Sequence, residues 1–142
     1  MKSIYVAFFA ALLIFVSPLS ASAARLVAQI DISQQRMTVL KNGRVLSRWK
    51  VSTARRGYYT PRGTYSAKRM HRQWYSRKYD MSPMPYSIFF HGGYAIHGTG
   101  AVRSLGRPAS HGCVRLHPNH AAQLFKWTRQ VGMGNMRVVI KN

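Results

Sequence analysis

From residue 26 the sequence alternates, and that two-residue period limits the fold more than any other feature. Leu26, Ala28, Ile30 and Ile32 fall on one parity and Val27, Gln29 and Asp31 on the other. Successive strand side chains point to opposite faces, so this is the pattern of a half-buried strand. Met37 and Val39 continue it. Asn42-Gly43 then supplies a residue pair that tolerates the two positive φ angles of a tight hairpin. On the returning strand, Val45, Ser47, Trp49 and Val51 are expected to share one face.

The remainder reads as more of the same with one exception. Thr60-Pro61-Arg62-Gly63-Thr64 joins a φ-restricted residue to a permissive one, hence a turn. Residues 66–85 are polar, basic and aromatic and are expected to form a long loop or flap, the kind of segment that more often carries function than fills space. Tyr86–Phe90 and Tyr94–His97 are β-like runs parted by Gly92-Gly93. Gly98–Pro108 is loop, Val114–Leu116 a short strand or turn, and Met136–Ile140 a terminal strand. Only Ala121, Leu124, Phe125 and Thr128 have helical spacing, with Pro118 near the start and Gly132 near the stop. Neither a repeat nor a linker interrupts the chain. The expected fold class is mostly β, a single compact domain with one helix near its C-terminal end.

Charge narrows the chemistry. Twenty-two Lys and Arg face two acids, Asp31 and Asp80, for a formal net charge of +20. An apolar content of 46% provides for a core and argues against disorder. Paired-carboxylate catalysis and an EF-hand both need more acidic side chains than this chain has. At the N-terminus, Met1-Lys2 precedes a 13-residue apolar run, Ile4–Val16. Ser17-Pro18 breaks the run, and Ala21-Ser22-Ala23 has a small-x-small cleavage pattern. Residues 1–23 are therefore expected to be a signal peptide and 24–142 the exported domain. The run is short of the roughly 20 residues a membrane-spanning helix needs, and no later segment approaches that length. Exported domains often hold cysteines in even numbers because their compartment oxidises them. Here Cys113 stands alone, which points to a thiol kept for its reactivity.

That cysteine ends Ser110-His111-Gly112-Cys113. A thiol becomes a nucleophile when a base or positive dipole favours its thiolate. A neighbouring glycine lets backbone N–H groups approach a substrate carbonyl and stabilise the oxyanion of acyl transfer. Two histidines are candidate bases: His111, whose side chain would share a face with Cys113 in extended backbone, and His97, at a strand end 16 residues upstream.

Ile96-His97-Gly98 followed by Ala109-Ser110-His111-Gly112-Cys113-Val114-Arg115-Leu116 resembles the signature of the YkuD-type L,D-transpeptidases, cysteine enzymes that cross-link bacterial peptidoglycan. Gln34–Met37 with Asn42-Gly43, Val51-Ser52-Thr53, Thr60–Tyr65 and Met84-Pro85-Tyr86 are similar to stretches in the same order, so the likeness runs from about Ala28 to Ile140. It implies a β-sandwich catalytic domain over 24–142, a periplasmic or secreted, wall-associated enzyme, and peptidoglycan tetrapeptide stems as partners. Cys113 then corresponds to the nucleophile that releases D-Ala and forms a thioester, and His97 to the general acid/base. Gly112 and Cys113 correspond to the oxyanion donors and His111 to a site-shaping residue. Arg115 and Ser110 are the expected substrate contacts, Arg115 orienting a carboxylate or else bracing the loop. Some relatives carry a hydroxyl residue directly after the base. Gly98 has none, so any partner orienting His97 must be a backbone carbonyl or a more distant group such as Ser110. The resemblance implies 3-3 type cross-links. The same thioester also serves water, a D-amino acid or an envelope-protein lysine as acceptor, and a non-catalytic basic envelope-binding module is the alternative from another class.

No cofactor is implied. His91, His97, His111, Cys113, His117 and His120 crowd one stretch, but their spacing matches no zinc motif and no carboxylate lies near, so no metal is expected. His117 and His120 read as solvated helix-end residues. Twelve of the cations lie between Lys41 and Lys78, and His71–Tyr79 interleaves cations with aromatics as single-strand nucleic-acid binders do. An exported chain makes nucleic acid an unphysiological partner. Anionic envelope polymers are expected instead, with the positive field holding the protein at the wall in place of a separate binding module.

Overall fold

The computed structural model describes residues 25–142; the leader expected over 1–23 and the expected domain start at Ala24 lie outside the described residues. Eleven strands and one helix follow in chain order: β1 Leu26–Asp31, β2 Arg36–Lys41, β3 Arg44–Lys50, β4 Gly63–Ser66, β5 Arg69–His71, β6 Tyr75–Ser76, β7 Ser82–Pro83, β8 Ser87–His91, β9 Tyr94–Gly98, β10 Val114–Leu116, α1 Pro118–Val131 and β11 Met136–Lys141. They build a five-stranded sheet in the order β3-β2-β1-β11-β4, a four-stranded sheet in the order β10-β9-β8-β5, and the small β6-β7 hairpin.

The alternation at residue 26 does what its period dictates. Leu26, Ala28 and Ile30 are fully buried, as are Met37 and Val39 of β2 and Met136 and Val138 of β11. Asn42 and Gly43 turn the β2–β3 hairpin with φ of 51° and 78°. Together with Phe90, Ile88, Ile96, Val114 and Leu116 of the second sheet these residues form one core between the two sheets. The parallel pairing of β1 with β11 ties the two ends of the domain together.

The helix expected from its spacing is α1, with Ala121, Leu124, Phe125 and Thr128 buried. Pro118 sits at its start and Gly132 at its C-cap. His117 is the N-cap, its Nδ1 accepting the Asn119 N–H at 3.2 Å. His120 is half-buried and stacks on Trp49 with ring centroids 4.8 Å apart. Both have packing roles where solvated helix-end residues were expected.

Two further expectations are corrected. Val45 is 43% exposed. A register shift pairs Val39 with Ser47 but Leu40 with Val45, leaving Leu46 as the extra residue. Such a bulge reverses which side chains point inward, so only Trp49 and Val51 of the expected face are buried. Residues 66–85 are also more ordered than a loop. β5 pairs with β8 as the edge of the second sheet, β6 pairs with β7, and a single 3-10 turn spans Arg77–Tyr79. The short strands escaped a periodicity reading because two or three residues carry no period.

Candidate active site

The second sheet positions the site. β10 pairs parallel to β9 with Val114 beside Ile96 and Arg115 beside His97. Ile96 and Val114 face the main core, so Ala95, His97, Cys113 and Arg115 take the other face by alternation. Cys113, one residue before β10, falls beside Ala95, whose N–H reaches Sγ at 3.4 Å. Its side chain packs against a second, smaller apolar cluster of Met84, Phe89 and Ala95, on which Trp74 also packs. Trp74 and Met84 come from the 66–85 segment, which thus contributes to the apolar cluster on which Cys113 packs.

A ladder holds the loop that carries Cys113 against residues 51–55. Ser52 and Arg115 exchange backbone hydrogen bonds at 3.1 and 2.9 Å, and the N–H groups of Ala109 and Ser110 both donate to the Thr53 carbonyl, at 3.0 and 2.9 Å. Inside the loop, Ser110 is wholly buried. Its Oγ donates to the Cys113 carbonyl at 2.6 Å and accepts the Gly112 N–H at 3.0 Å. Thr60 Oγ1 donates to the Gly112 carbonyl at 2.8 Å while accepting the Ala54 N–H at 3.0 Å. Gly112 has φ of +132°, and a Cβ there would stand 2.6 Å from a Tyr94 ring carbon and 2.7 Å from the Tyr59 carbonyl oxygen. Only glycine fits.

His97 is buried, and its Nδ1 lies 2.7 Å from the Gly98 carbonyl oxygen. A carbonyl accepts only, so Nδ1 carries the proton and Nε2 has its lone pair free. Among the described residues the one polar side-chain atom both sealed from solvent and unpartnered is His120 Nδ1. His97 Nε2 has no protein partner either, so it opens toward solvent. Burial pushes the imidazole down to about 4, with Arg115 adding to the depression and the Gly98 carbonyl opposing it. Burial pushes the Cys113 thiol up, against the Ala95 N–H and Arg115, which favour the thiolate. Both shifts favour a neutral thiol beside a neutral imidazole at pH 7. Among the described residues Sγ makes no hydrogen bond to His97; the thiol points weakly at the Gly93 carbonyl, 3.9 Å away. Catalytic hydrogen bonds are often long in a resting site and tighten when substrate binds.

Gly98 answers the question its lack of a side chain posed. A Cβ there would lie 3.1 Å from Pro85 Cγ and 3.2 Å from Pro118 Cα, so a hydroxyl residue would crowd the start of α1 and require its neighbours to give by a few tenths of an ångström. The carbonyl of Gly98 orients the ring, and Ser110 does not. His111 does not share a face with Cys113, because the chain bends at Gly112. Its ring is sandwiched between Tyr79, stacked at 4.1 Å, and Tyr58, edge-on at 4.7 Å. Partial burial pushes its pKa down, and the cations Arg55, Arg115 and Lys78 add to the shift. Arg115 is half-buried and its guanidinium reaches the Ala109 carbonyl at 3.4 Å. Thr60, Tyr58, Tyr79, Trp74 and Gly93 were not singled out as site residues. Of these, Thr60 carries a signal as the first residue of the Thr-Pro-x-Gly turn, and Trp74 and Tyr79 lie in the aromatic, cationic 66–85 segment expected to carry function.

This arrangement suits acyl transfer. A lone thiol sits on a glycine-bent loop, and a strand-borne imidazole on the same face has one nitrogen fixed and the other free. The family model of the L,D-transpeptidase catalytic domain, YkuD, matches residues 25–140. The chain belongs to this family. Among solved structures, an L,D-transpeptidase from Xylanimonas cellulosilytica is similar at 27% identity and a TM-score of 0.70, over 85% of this chain and 62% of that one. The L,D-transpeptidase LdtMt1, solved in complex with imipenem, is similar at 25% identity and a TM-score of 0.74, over 83% and 59%. An L,D-transpeptidase from Mycobacterium tuberculosis shares the fold at 22% identity and a TM-score of 0.74, over 84% and 58%. The chain thus spans about three-fifths of the length of these solved proteins. No curated protein matches it in sequence. The mostly-β, two-sheet fold expected for an L,D-transpeptidase domain is the fold observed. Among the described residues no helix is long and apolar enough to cross a membrane.

Proposed function

We propose that this protein is an L,D-transpeptidase of the bacterial wall that works through a Cys113 thioester. The placement of His97 carries the reading: its Nδ1–H is held by the Gly98 carbonyl, so Nε2 is the basic nitrogen on the face it shares with the thiol. Nε2 takes the thiol proton as Sγ attacks the carbonyl joining the L-centre of diaminopimelate to the terminal D-Ala of a tetrapeptide stem. The oxyanion accepts from the Cys113 N–H. Ser110 engages the Gly112 N–H at rest, so Gly112 serves mainly by permitting the bend. The imidazolium returns its proton to the leaving D-Ala amine, and the thioester remains. The amine of a second stem, deprotonated by Nε2, then attacks the thioester, forming a 3-3 cross-link and regenerating the thiol.

Full burial and two hydrogen bonds within the loop give Ser110 the role of bracing Cys113. Arg115, beside His97, is suited to a stem carboxylate. Such a substrate places the enzyme outside the cytoplasmic membrane, in the periplasm or beyond. Mass spectrometry of products from disaccharide-tetrapeptide, beside a Cys113→Ala control, tests the reading. A dimer lacking one D-Ala, absent from the control, is the expected product. Loss of D-Ala without a dimer makes water the acceptor, and no Cys113-dependent product overturns the reading.

A further inference from the structure

The second sheet has a far face, and there the chain leaves a feature that acyl transfer does not use. Alternation along β5 and β8 divides the sheet. Arg69 and Phe89 lie on the thiol side, with the guanidinium 3.7 Å above the phenyl ring, while Met70 pairs with Ile88 toward the core and α1. Arg72 follows Met70 on the same parity, and its carbonyl accepts the Tyr86 N–H at 2.8 Å. On α1, Ala122, Lys126, Arg129 and Gln130 repeat at three- and four-residue spacing, beside the buried stripe that includes Phe125.

Between these elements lie two cavities of about 500 and 370 Å³ that share Arg72, Phe125 and Arg129 and so form one shallow groove. Its floor is aromatic, Tyr86 meeting Phe125 edge-to-face at 5.6 Å. Its rim is cationic, with Arg72, Lys126 and Arg129 all exposed. Among the described residues no carboxylate lines the groove, and none of the three cations donates a side-chain hydrogen bond. The chain's two acids lie elsewhere: Asp31 binds Ser33 and Gln34, and Asp80 follows the 3-10 turn of the 66–85 segment.

We propose that this groove is a second binding site, for a strand of anionic wall glycan. Sugar rings lie on the Tyr86–Phe125 floor and stem-peptide carboxylates pair with Arg72, Lys126 and Arg129. Unpaired guanidinium groups match carboxylates in forked geometry, and a shallow open groove suits a polymer better than an enclosed small molecule. The site rests on the peptidoglycan reading above and gives the diffuse positive charge a place to act. It lies across the sheet from Cys113, so it holds a strand without entering the reaction.

The test uses the full chain carrying Cys113→Ala, sedimented with purified sacculi at fixed ionic strength. Replacing Arg72, Lys126 and Arg129 by Gln is expected to raise the half-saturation concentration at least tenfold. A charge-matched control, Arg44→Gln with Arg48→Gln and Lys50→Gln on the exposed β3 edge, is expected to raise it less than threefold. With Cys113 restored, turnover of soluble disaccharide-tetrapeptide by the groove variant stays at the parent level. If the triple variant unfolds, Arg129→Gln alone replaces it, against Arg48→Gln. Equal losses in the two variants, no loss in the groove variant, or a matching loss of soluble turnover would each overturn the groove. Loss of binding to anionic phospholipid vesicles with sacculus binding intact would reassign it to a lipid headgroup and overturn it too. Failure of the parent enzyme to turn over tetrapeptide while groove-dependent sacculus binding persists sinks the catalytic reading and leaves the groove standing.

Discussion

Cys113 and His97 are both held in their uncharged forms, and that shapes how the pair responds to pH. The thiol is raised by burial and the imidazole lowered to about 4. The imidazole proposed as base is therefore neutral throughout the physiological range, and the acid limb of carbapenem acylation at Cys113 is expected near pH 4. A limb near 6.5 in rapid-mixing mass spectrometry refutes the buried neutral base. His97→Gln keeps a polar side chain but lacks the basic nitrogen, and general-base catalysis is typically worth ~10²–10⁴ in rate. A loss of that size in acylation rate, with the fold intact by circular dichroism, is the expected result. At Ser110 two hydrogen bonds are made without water. Ser110→Ala strands the Gly112 N–H and the Cys113 carbonyl, which by the cost of buried unpaired groups lowers stability by ~1–3 kcal/mol. A denaturation midpoint unchanged from the parent protein contradicts the bracing role.

At the scale of the element, the 66–85 segment is fastened to the loop bearing Cys113 by aromatic contacts. Tyr79 stacks on His111, and Trp74 packs on the same Met84–Phe89–Ala95 cluster as Cys113. Its cations also meet aromatic faces within the molecule. Lys78 lies over Tyr79 at 5.5 Å, and Arg69 lies over Trp74 at 5.0 Å. The interleaving that resembles a single-strand nucleic-acid binder is thus used internally, to hold one segment over another. An aromatic pair contributes ~1 kcal/mol beyond its buried area. Tyr79→Ala is expected to speed amide exchange across 74–84 roughly fivefold by that figure, with β1 and β11 unaffected. Uniform acceleration across the domain denies the segment a separate attachment.

For the molecule as a whole, charge and acid sensitivity dominate. His97 binds its proton less readily folded than unfolded, so the unfolded chain takes up more protons between pH 6.5 and about 4. Stability therefore falls as pH drops through that window and is fully present above it. The shift corresponds to ~3 kcal/mol at the acid end. His97→Gln should show a shallower fall in melting temperature over the same range, and an identical slope places the acid sensitivity elsewhere. A net charge of +20 also repels itself. Added salt screens that repulsion over a Debye length of about 10 Å at 0.1 M. The melting temperature is expected to climb from low salt to about that concentration, and no change means the cations are too far apart to matter.

What was legible in the residues is what local physics decides. The period of two placed β1 and β2, the Asn42-Gly43 pair turned the hairpin, and the three- and four-residue spacing placed α1, because each depends on neighbours within a few positions. A lone cysteine beside glycine, with His97 upstream, likewise nominates a candidate site, which the Cys113→Ala and His97→Gln variants test. Tertiary structure alone decided the rest. Only the β9–β10 pairing puts His97 on the face of Cys113, and only the folded end of β9 shows the Gly98 carbonyl as the partner of His97 Nδ1. The bulge in β2–β3 turned Val45 outward, and the bend at Gly112 sent His111 to Tyr58 and Tyr79. These are contacts between residues far apart in the chain, and they follow from how the two sheets and α1 pack, which no local pattern encodes.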